Sequence, residues 1–106
     1  MIITTSETIH GKRIVKTHGL VRGNTIRARH VGKDILAFLK NLVGGEISEY
    51  TKLIAESREQ SIDRMTEEAE RLGANAIIAS RFTTSMVSQA AAEILAIGTA
   101  VTIEDE

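Results

Sequence analysis

The sequence predicts an α+β domain in which a long helix lies between strands at the two ends of the chain. Three observations support this prediction. The 106 residues are the length of one domain, so residues 1–106 are taken as a single unit. Residues 46–72 carry apolar side chains at helical spacing. Residues 13–21 and 76–103 contain β-branched and alternating apolar residues, which is typical of strands.

The first long strand is predicted at residues 13–21, and residues 2–5 are predicted to form a short pairing strand. Gly11 before the long strand and Gly23-Asn24 after it are turn signals. The better core face of this strand is formed by Val15, Thr17, Gly19 and Val21. Because Gly19 has no side chain on that face, another element is expected to pack closely against it.

Two helices are predicted in the middle of the chain. Asp34 is a suitable N-cap for a short helix over residues 35–42, which Gly44-Gly45 ends. A second helix is predicted over residues 46–72 and would be about 40 Å long at about 1.5 Å per residue. Gly73 is placed to end it as a left-handed C-terminal cap.

The long helix carries a stripe of residues separated by steps of three or four, at positions 47, 50, 54, 58, 61, 65, 69 and 72. Arg58 and Ser61 interrupt the apolar residues of this stripe. An arginine on a buried stripe either extends its head group to solvent or needs a carboxylate partner. We favour a polar pocket in which Arg58 pairs with Glu93, or with an acidic group of an adjacent subunit, and which binds a small anion beside Ser61.

The C-terminal region is predicted to form a β-hairpin from strands at residues 76–84 and 92–103, joined by residues 85–90. One face of the last strand consists mainly of small residues, including Ala96, Gly98 and Ala100, and suits close packing by a helix. The acidic tail at residues 104–106 is expected to be frayed.

Composition and charge exclude several classes of function. The chain has no cysteine, which excludes disulfides, thiolate metal sites and a cysteine nucleophile. Residues 1–33 carry seven basic residues and one acidic residue, whereas residues 34–106 carry six basic and thirteen acidic residues. This asymmetry favours contact of the chain with itself or with a second copy, and the scarcity of aromatic residues argues against a nucleic-acid partner.

We expect a cytoplasmic location and no membrane partner, because no apolar run approaches about 18 residues and residues 1–7 have no signal pattern.

No pattern of residues names a reaction, so we expect no enzymatic activity. His10, His18 and His30 lack the spacing of metal ligands, and surface or turn positions are favoured for them. His18 is the best metal candidate because it lies within a predicted strand. Glu93, on an otherwise apolar face, either lies in solvent or pairs with an arginine. A hydrolase-like enzyme that uses Glu93 and a histidine is the competing hypothesis.

Residues 44–76, GGEISEYTKLIAESREQSIDRMTEEAERLGANA, resemble the YbjQ family, whose descriptive name refers to heavy-metal binding. Residues 19–23, the segment from Asp34 onward and residues 96–101 also follow the family pattern, so the resemblance spans nearly the whole chain. Ile97 departs from it, because tyrosine is usual at this position in the family. The missing hydroxyl weakens the inference of a polar ligand contact there.

The resemblance implies a two-layer subunit like that of dodecin, with a three-stranded antiparallel sheet in the order 1-3-2 and extra short strands for assembly. It also implies a homopentamer and no established reaction. We therefore expect an uncharacterised homo-oligomeric binding protein that takes a metal ion or a small anionic ligand at a subunit interface. The candidate residues are Arg58, Ser61 and Glu93 for the ligand and His18 for the metal ion. A purely structural assembly module is a further alternative function. A metal ion is the only cofactor that we consider.

Overall fold

The computed structural model describes residues 1–28, 47–88 and 91–106. It contains β1 (Ile2–Ile3), β2 (Lys12–Ala28), α1 (Ile47–Arg71), β3 (Ala76–Ser88) and β4 (Ala91–Asp105). The α+β class is therefore confirmed. The predicted helix at residues 35–42, Gly44-Gly45 and His30 lie outside the described residues. No helix in the described part of the chain is long and apolar enough to cross a membrane.

The four strands form one mixed sheet in the order β1-β3-β4-β2. β4 pairs antiparallel with both β2 and β3, whereas the two-residue β1 pairs parallel with β3 at Ala76 and Ile77. The hairpin of β3 and β4 is confirmed. The three-stranded sheet in the order 1-3-2 and the dodecin-like subunit are not confirmed, because β1 adds a fourth, parallel strand.

The strands are longer than the turn signals indicated. Gly23 and Asn24 lie within β2, paired with Ala96 and Leu95, so the predicted turn there is wrong. β3 and β4 pair as far as Ser88 and Ala91, beyond the predicted ends of both strands. β4 also continues through Asp105, so most of the acidic tail is ordered by pairing with β2.

α1 lies mainly over β2 and β4 and covers one face of the sheet, which we call the helix-covered face. Its core comes from both layers and consists mainly of small or unbranched side chains: Val21, Met65, Ala69, Ala74, Ile77, Ala96 and Ala100. The prediction that the small-residue face of the last strand packs against a helix is therefore confirmed. The opposite face, which we call the open face, has a smaller cluster at one end, where Ile9 packs near Val101 and Ile103.

Two glycines of β2, Gly23 and Gly19, differ in how closely other atoms approach them. A Cβ on Gly23 would lie 2.2 Å from the carbonyl oxygen of Ser61 and 2.5 Å from the amide nitrogen of Met65, so Gly23 lets α1 approach β2 closely. Close packing had been expected at Gly19 instead, but a Cβ there would have no heavy atom within 4 Å. Gly19 and Val21 do lie on the helix-covered side, whereas Val15 is 49% exposed because irregularities in β2 shift its register with β4.

The C-terminal end of α1 forms as the sequence predicts. Gly73 has a φ of 86°. Its amide donates to the carbonyl oxygen of Glu70, and the amide of Ala74 donates to the carbonyl oxygen of Ala69. This pair of hydrogen bonds is a Schellman motif, in which a left-handed residue ends the helix and satisfies its last carbonyl groups. The prediction of a C-terminal cap at Gly73 is confirmed.

Candidate functional site

Ser61 lies in a buried polar cluster between α1 and the sheet. Its Oγ is 2.9 Å from Oγ1 of Thr25 on β2 and 3.1 Å from the carbonyl oxygen of Ile94 on β4. Thr25 Oγ1 also lies 3.2 Å from the carbonyl oxygen of Ser57. Ser57 and Ser61 are fully buried and Thr25 is nearly so. The hydroxyl of Ser61 therefore joins the helix to two strands.

Arg58 does not share this environment, because its side chain is exposed. Among the α1 residues whose side chains the structure describes, the buried ones are Ser57, Ser61, Met65 and Ala69, at intervals of four. The prediction that Arg58 lies on the buried stripe is therefore wrong within one chain, and Ser57 occupies that place. Arg58 has no hydrogen bond or ion pair with any residue in the described ranges.

Glu93 lies on the opposite face of the sheet from Ser61. Its neighbour Ile94 is buried under α1, and successive residues of a strand point to opposite faces. The side-chain amide of Asn24 donates a hydrogen bond of 3.2 Å to Oε2 of Glu93. The predicted pocket of Arg58, Ser61 and Glu93 is therefore not assembled within one chain.

His18 lies at the other end of the sheet, beside the end of α1. Its Nε2 is 2.7 Å from Oγ1 of Thr102, and that hydroxyl lies 3.5 Å from the carbonyl oxygen of Gly73. The contact holds the partly buried ring against β4. Among the described residues, no group of three or more His, Cys, Asp or Glu side chains converges in the way a metal site requires.

Glu93 and His18 cannot act on one substrate within a single chain. His18 contacts Thr102, which lies nine positions beyond Glu93 along β4. At about 3.3 Å per residue, the two side chains lie roughly 30 Å apart along the strand. A general acid and base must both reach the reacting group, so the hydrolase-like hypothesis has no support from this pair.

The open face carries the largest exposed aliphatic side chains of β2, Leu20 at 60% and Ile26 at 59% exposure. The strand register places Leu20 opposite Thr99, and Ile26 opposite Glu93. Between them lies Arg22, which has no partner in the described part of the chain. The open face therefore combines uncovered apolar surface with a free cation and a carboxylate, features that are typical of a contact surface.

The basic N-terminal third meets the acidic tail at the far end of the sheet. Lys12 forms an ion pair with Asp105, and Arg13 with Glu104, where β2 lies beside β4. The hydrogen bond from Lys12 and its positive charge lower the pKa of the Asp105 carboxyl. These pairs satisfy part of the charge asymmetry within the chain and leave Arg22 and Arg58 for other contacts.

Comparison with known proteins gives a consistent picture over the full length. Residues 1–104 match the profile of YbjQ, a family described as "Putative heavy-metal-binding". A UPF0145 protein from Methanosarcina acetivorans is 57% identical over 103 residues, covering 97% of each chain. One from Clostridioides difficile is 57% identical over 106 residues, covering 100% of this chain and 95% of the relative.

A solved structure shares the fold at low sequence identity. A protein with unknown function from the DUF74 family of Pediococcus pentosaceus superposes with a TM-score of 0.65, at 17% identity and 98% coverage of both chains. The likeness extends to the arrangement of helix and strands over the full length. It supports the α+β architecture and carries no information about a ligand.

Proposed function

This chain belongs to the YbjQ family of UPF0145 proteins, and from that premise we propose that it is a homo-oligomeric binding protein. Its copies assemble into a closed ring, of five members by the family resemblance. A metal ion or a small anionic ligand binds where two copies meet. We further propose a cytoplasmic location, with the chain itself as the main partner and neither nucleic acid nor membrane as a partner.

The observation that carries this proposal is the extended shape of the single chain. Its radius of gyration is 17.3 Å, and its dimensions are 55 × 23 × 17 Å. A compact domain of this length has a radius of gyration of about 13 Å. The accessible surface is 7196 Å², against roughly 5,800 Å² for a compact monomer of this mass. A surface excess of this kind is expected of a protomer without its neighbours, so it supports the proposed assembly.

The open face supports self-association because its exposed groups complement those of α1. It presents Leu20, Ile26 and the carboxylate of Glu93. The outer side of α1 presents Arg58, which has no partner among the residues that the structure describes. Contact between different surfaces of identical chains is heterologous and closes into a ring when the rotation allows. In this arrangement Arg58 of one copy approaches Glu93 of the next, which restores the predicted pairing between subunits.

Two kinds of ligand fit the interface. An arginine that reaches the open face of a neighbour, close to Ser85 and Glu93, binds a small anion through its guanidinium fork. A metal ion would bind a histidine imidazole and oxygen ligands, since the chain has no thiolate. His18 is the candidate in the described chain, and it would need ligands from a second copy.

Light scattering of the purified chain tests the assembly. We expect a particle several times heavier than 11.5 kDa at low micromolar concentration. Leu20→Asp places a charge on the exposed apolar surface and should lower the mass while the circular dichroism spectrum is unchanged. His10→Asp, at an exposed turn residue, is the control and should leave the mass unchanged. A wild-type particle of 11.5 kDa would reject the proposal.

Metal analysis of untagged protein by mass spectrometry tests the ligand separately. One metal ion per chain that disappears in His18→Ala would support the metal site. Phosphate binding that disappears in Arg58→Ala would support the anion site instead. A ring that binds neither a metal ion nor phosphate would favour a purely structural assembly module.

A further inference from the structure

The middle of the open face carries two arginines side by side across the strands. The strand register places Ile97 of β4 opposite Arg22 of β2 on one side and opposite Arg81 of β3 on the other. Ala96 is buried under α1, so the alternation of side chains along β4 puts Ile97 and both arginines on the open face. Two strand spacings separate the backbones of the arginines by roughly 10 Å. We call Arg22, Ile97 and Arg81 the arginine row.

Neither arginine of the row has a counter-charge in the described chain. Both side chains are exposed, and neither forms a hydrogen bond or an ion pair with a residue in the described ranges. The ion pairs of β2 with β4 lie near the start of β2, at Lys12 and Arg13. Like charges close together on one face of a sheet repel each other. A bound anion would therefore stabilise the arginine row.

The strands themselves cannot supply this anion. β2 and β3 contain no acidic residue, and β4 contains none between Glu93 and Glu104. Glu93 lies four positions before Ile97, which is roughly 13 Å at about 3.3 Å per residue, and it accepts a hydrogen bond from Asn24. The neighbours of Ile97 on the open face of β4 are Leu95 and Thr99, which are uncharged. The row is therefore cationic in an apolar and neutral surrounding.

The residues of the row indicate the class of ligand. Guanidinium groups bind phosphate through paired, parallel hydrogen bonds. Two guanidinium groups balance the two negative charges of a phosphate group, whereas a single carboxylate supplies one. Ile97 is half-buried between them, and an apolar floor strengthens the attraction because it excludes water from one side. Leu20, two positions before Arg22 on the same face, is 60% exposed and offers apolar surface to an organic group.

We propose that the arginine row binds the phosphate group of a small phosphorylated molecule. Arg22 and Arg81 donate hydrogen bonds to the phosphate oxygens above Ile97, and the organic part lies against Leu20. These residues belong to one chain, so the site exists with or without the ring and is distinct from the interface site of Arg58. Where a second copy covers the open face, the phosphate supplies the counter-charge that two covered arginines require.

Calorimetric titration with inorganic phosphate, phenyl phosphate and acetate tests the charge and the apolar contact separately. Phosphate should bind once per chain and about tenfold or more tightly than acetate, which carries a single charge. Phenyl phosphate should bind more tightly than inorganic phosphate, because its ring covers Leu20. No binding of phosphate, or equal binding of phosphate and acetate, would overturn the proposal. Equal binding of the two phosphates would contradict the contact with Leu20.

Arg22→Met and Arg81→Met test the two cations while keeping the apolar stems. Each should weaken phosphate binding about tenfold or more, the effect of losing the hydrogen bonds of one charged group. Arg71→Met removes the same charge from an exposed position on α1, away from the open face, and is the matched control. Unchanged binding in both variants of the row would overturn the proposal. If Arg58→Ala alone abolished binding, the phosphate would belong to the subunit interface and not to the row.

Ile97→Glu places a carboxylate between the two arginines, and Ile97→Gln is its neutral control. In phosphate-free buffer, Ile97→Glu should unfold at a higher urea concentration than Ile97→Gln, because only the carboxylate pairs with the arginines. Phosphate should raise the unfolding midpoint of the wild-type chain, since it binds the folded state, and should leave that of Ile97→Glu unchanged. Equal midpoints of the two variants, or equal stabilisation of Ile97→Glu and wild type by phosphate, would contradict the proposal.

Light scattering with and without phosphate shows how the row relates to assembly. Phosphate should not lower the particle mass, because it supplies a charge that the covered arginines lack. Dissociation of the particle by phosphate would show that acidic groups of a neighbouring copy already pair with the row, and it would overturn the proposal.

Discussion

The two faces of the sheet are formed by the same strands but differ in how far their side chains are covered. On the helix-covered face, Ala96 and Ala100 of β4 are almost fully buried under α1, and Gly23 of β2 lets the helix backbone approach. On the open face, Leu20 and Ile26 are about three-fifths exposed. Small residues therefore complete one interface within the chain, while larger aliphatic residues remain on the face for which we propose a second copy.

The comparison also separates two kinds of polar group. Hydroxyl groups under the helix, such as those of Ser61 and Thr25, are matched within the chain. Charged groups on the outer surfaces, such as those of Arg22 and Arg58, have no partner among the described residues. Changes under the helix should therefore affect the folding of each chain, and changes on the open face should affect assembly.

The largest effect is expected at Gly23. Gly23→Ala places a Cβ 2.2 Å from a backbone oxygen and 2.5 Å from a backbone nitrogen of α1, neither of which can move without the helix. We expect a loss of about 3 kcal/mol or more in urea unfolding, the upper range for overpacking.

Gly11→Ala is the control for Gly23. Its φ is 78°, and a Cβ there would have no heavy atom within 4 Å. It should cost about 1–2 kcal/mol from backbone strain alone. Equal losses in the two variants would show that close packing of α1 on β2 is unimportant.

Ser61→Ala tests the buried polar cluster. The change removes the hydroxyl that lies within hydrogen-bond distance of Thr25 Oγ1 and the Ile94 carbonyl oxygen, so it should lower the free energy of unfolding by about 1–3 kcal/mol. Ser85→Ala, on the exposed part of β3, should change it by less than about 0.5 kcal/mol. If Ser61→Ala is as mild as its control, the cluster contributes nothing to stability.

Gly73→Val tests the end of the helix. A branched side chain at a φ of 86° should cost at least about 1–2 kcal/mol, because the left-handed region crowds the Cβ. Gly73→Asn should cost less, since asparagine tolerates this region better. The unfolding midpoints of both variants measure the effect, and two unchanged midpoints would contradict the cap.

Arg58→Ala separates folding from assembly most directly. Because Arg58 is exposed, its removal should change the unfolding of a dissociated chain by less than about 0.5 kcal/mol. The dissociated chain is obtained in the Leu20→Asp background. In the otherwise wild-type chain, Arg58→Ala should lower the particle mass. A large loss of stability in the dissociated chain would mean that Arg58 has a partner within it.

The smallest effect is expected at the exposed pair of Lys12 and Asp105. The hydrogen bond and the charge of Lys12 lower the folded pKa of Asp105 below its usual 3.8. The contribution to stability is therefore present above pH 3.8 and is lost as the pH falls through the folded pKa. Asp105→Asn should slightly lower the Tm at pH 7, and this difference should shrink as the pH falls below 3.8. High salt should reduce the difference at pH 7, and a difference that grows as the pH is lowered would contradict this origin.

The sequence already contained evidence against part of the predicted pocket of Arg58, Ser61 and Glu93. The alternation of β4 places Glu93 on the opposite face from Ala96 and Ala100, and the small-residue face had been assigned to the helix. Ser61, on the helix, and Glu93 therefore could not meet within one chain. Ser57 and Arg58 were harder to distinguish, because both are polar, are adjacent on the helix and have no hydrophobic signal that favours either.

The sequence alone determined the features that depend on neighbouring residues: the limits of α1 to within one residue, its cap at Gly73, the β3–β4 hairpin and the small face of β4. These follow from backbone preferences and local periodicity. The tertiary structure alone decided that Gly23 lies within a strand, that Ser57 rather than Arg58 faces the sheet, and that two arginines flank Ile97. Each of these depends on how α1 and the strands align with elements that are distant in sequence, and local periodicity contains no measure of that alignment.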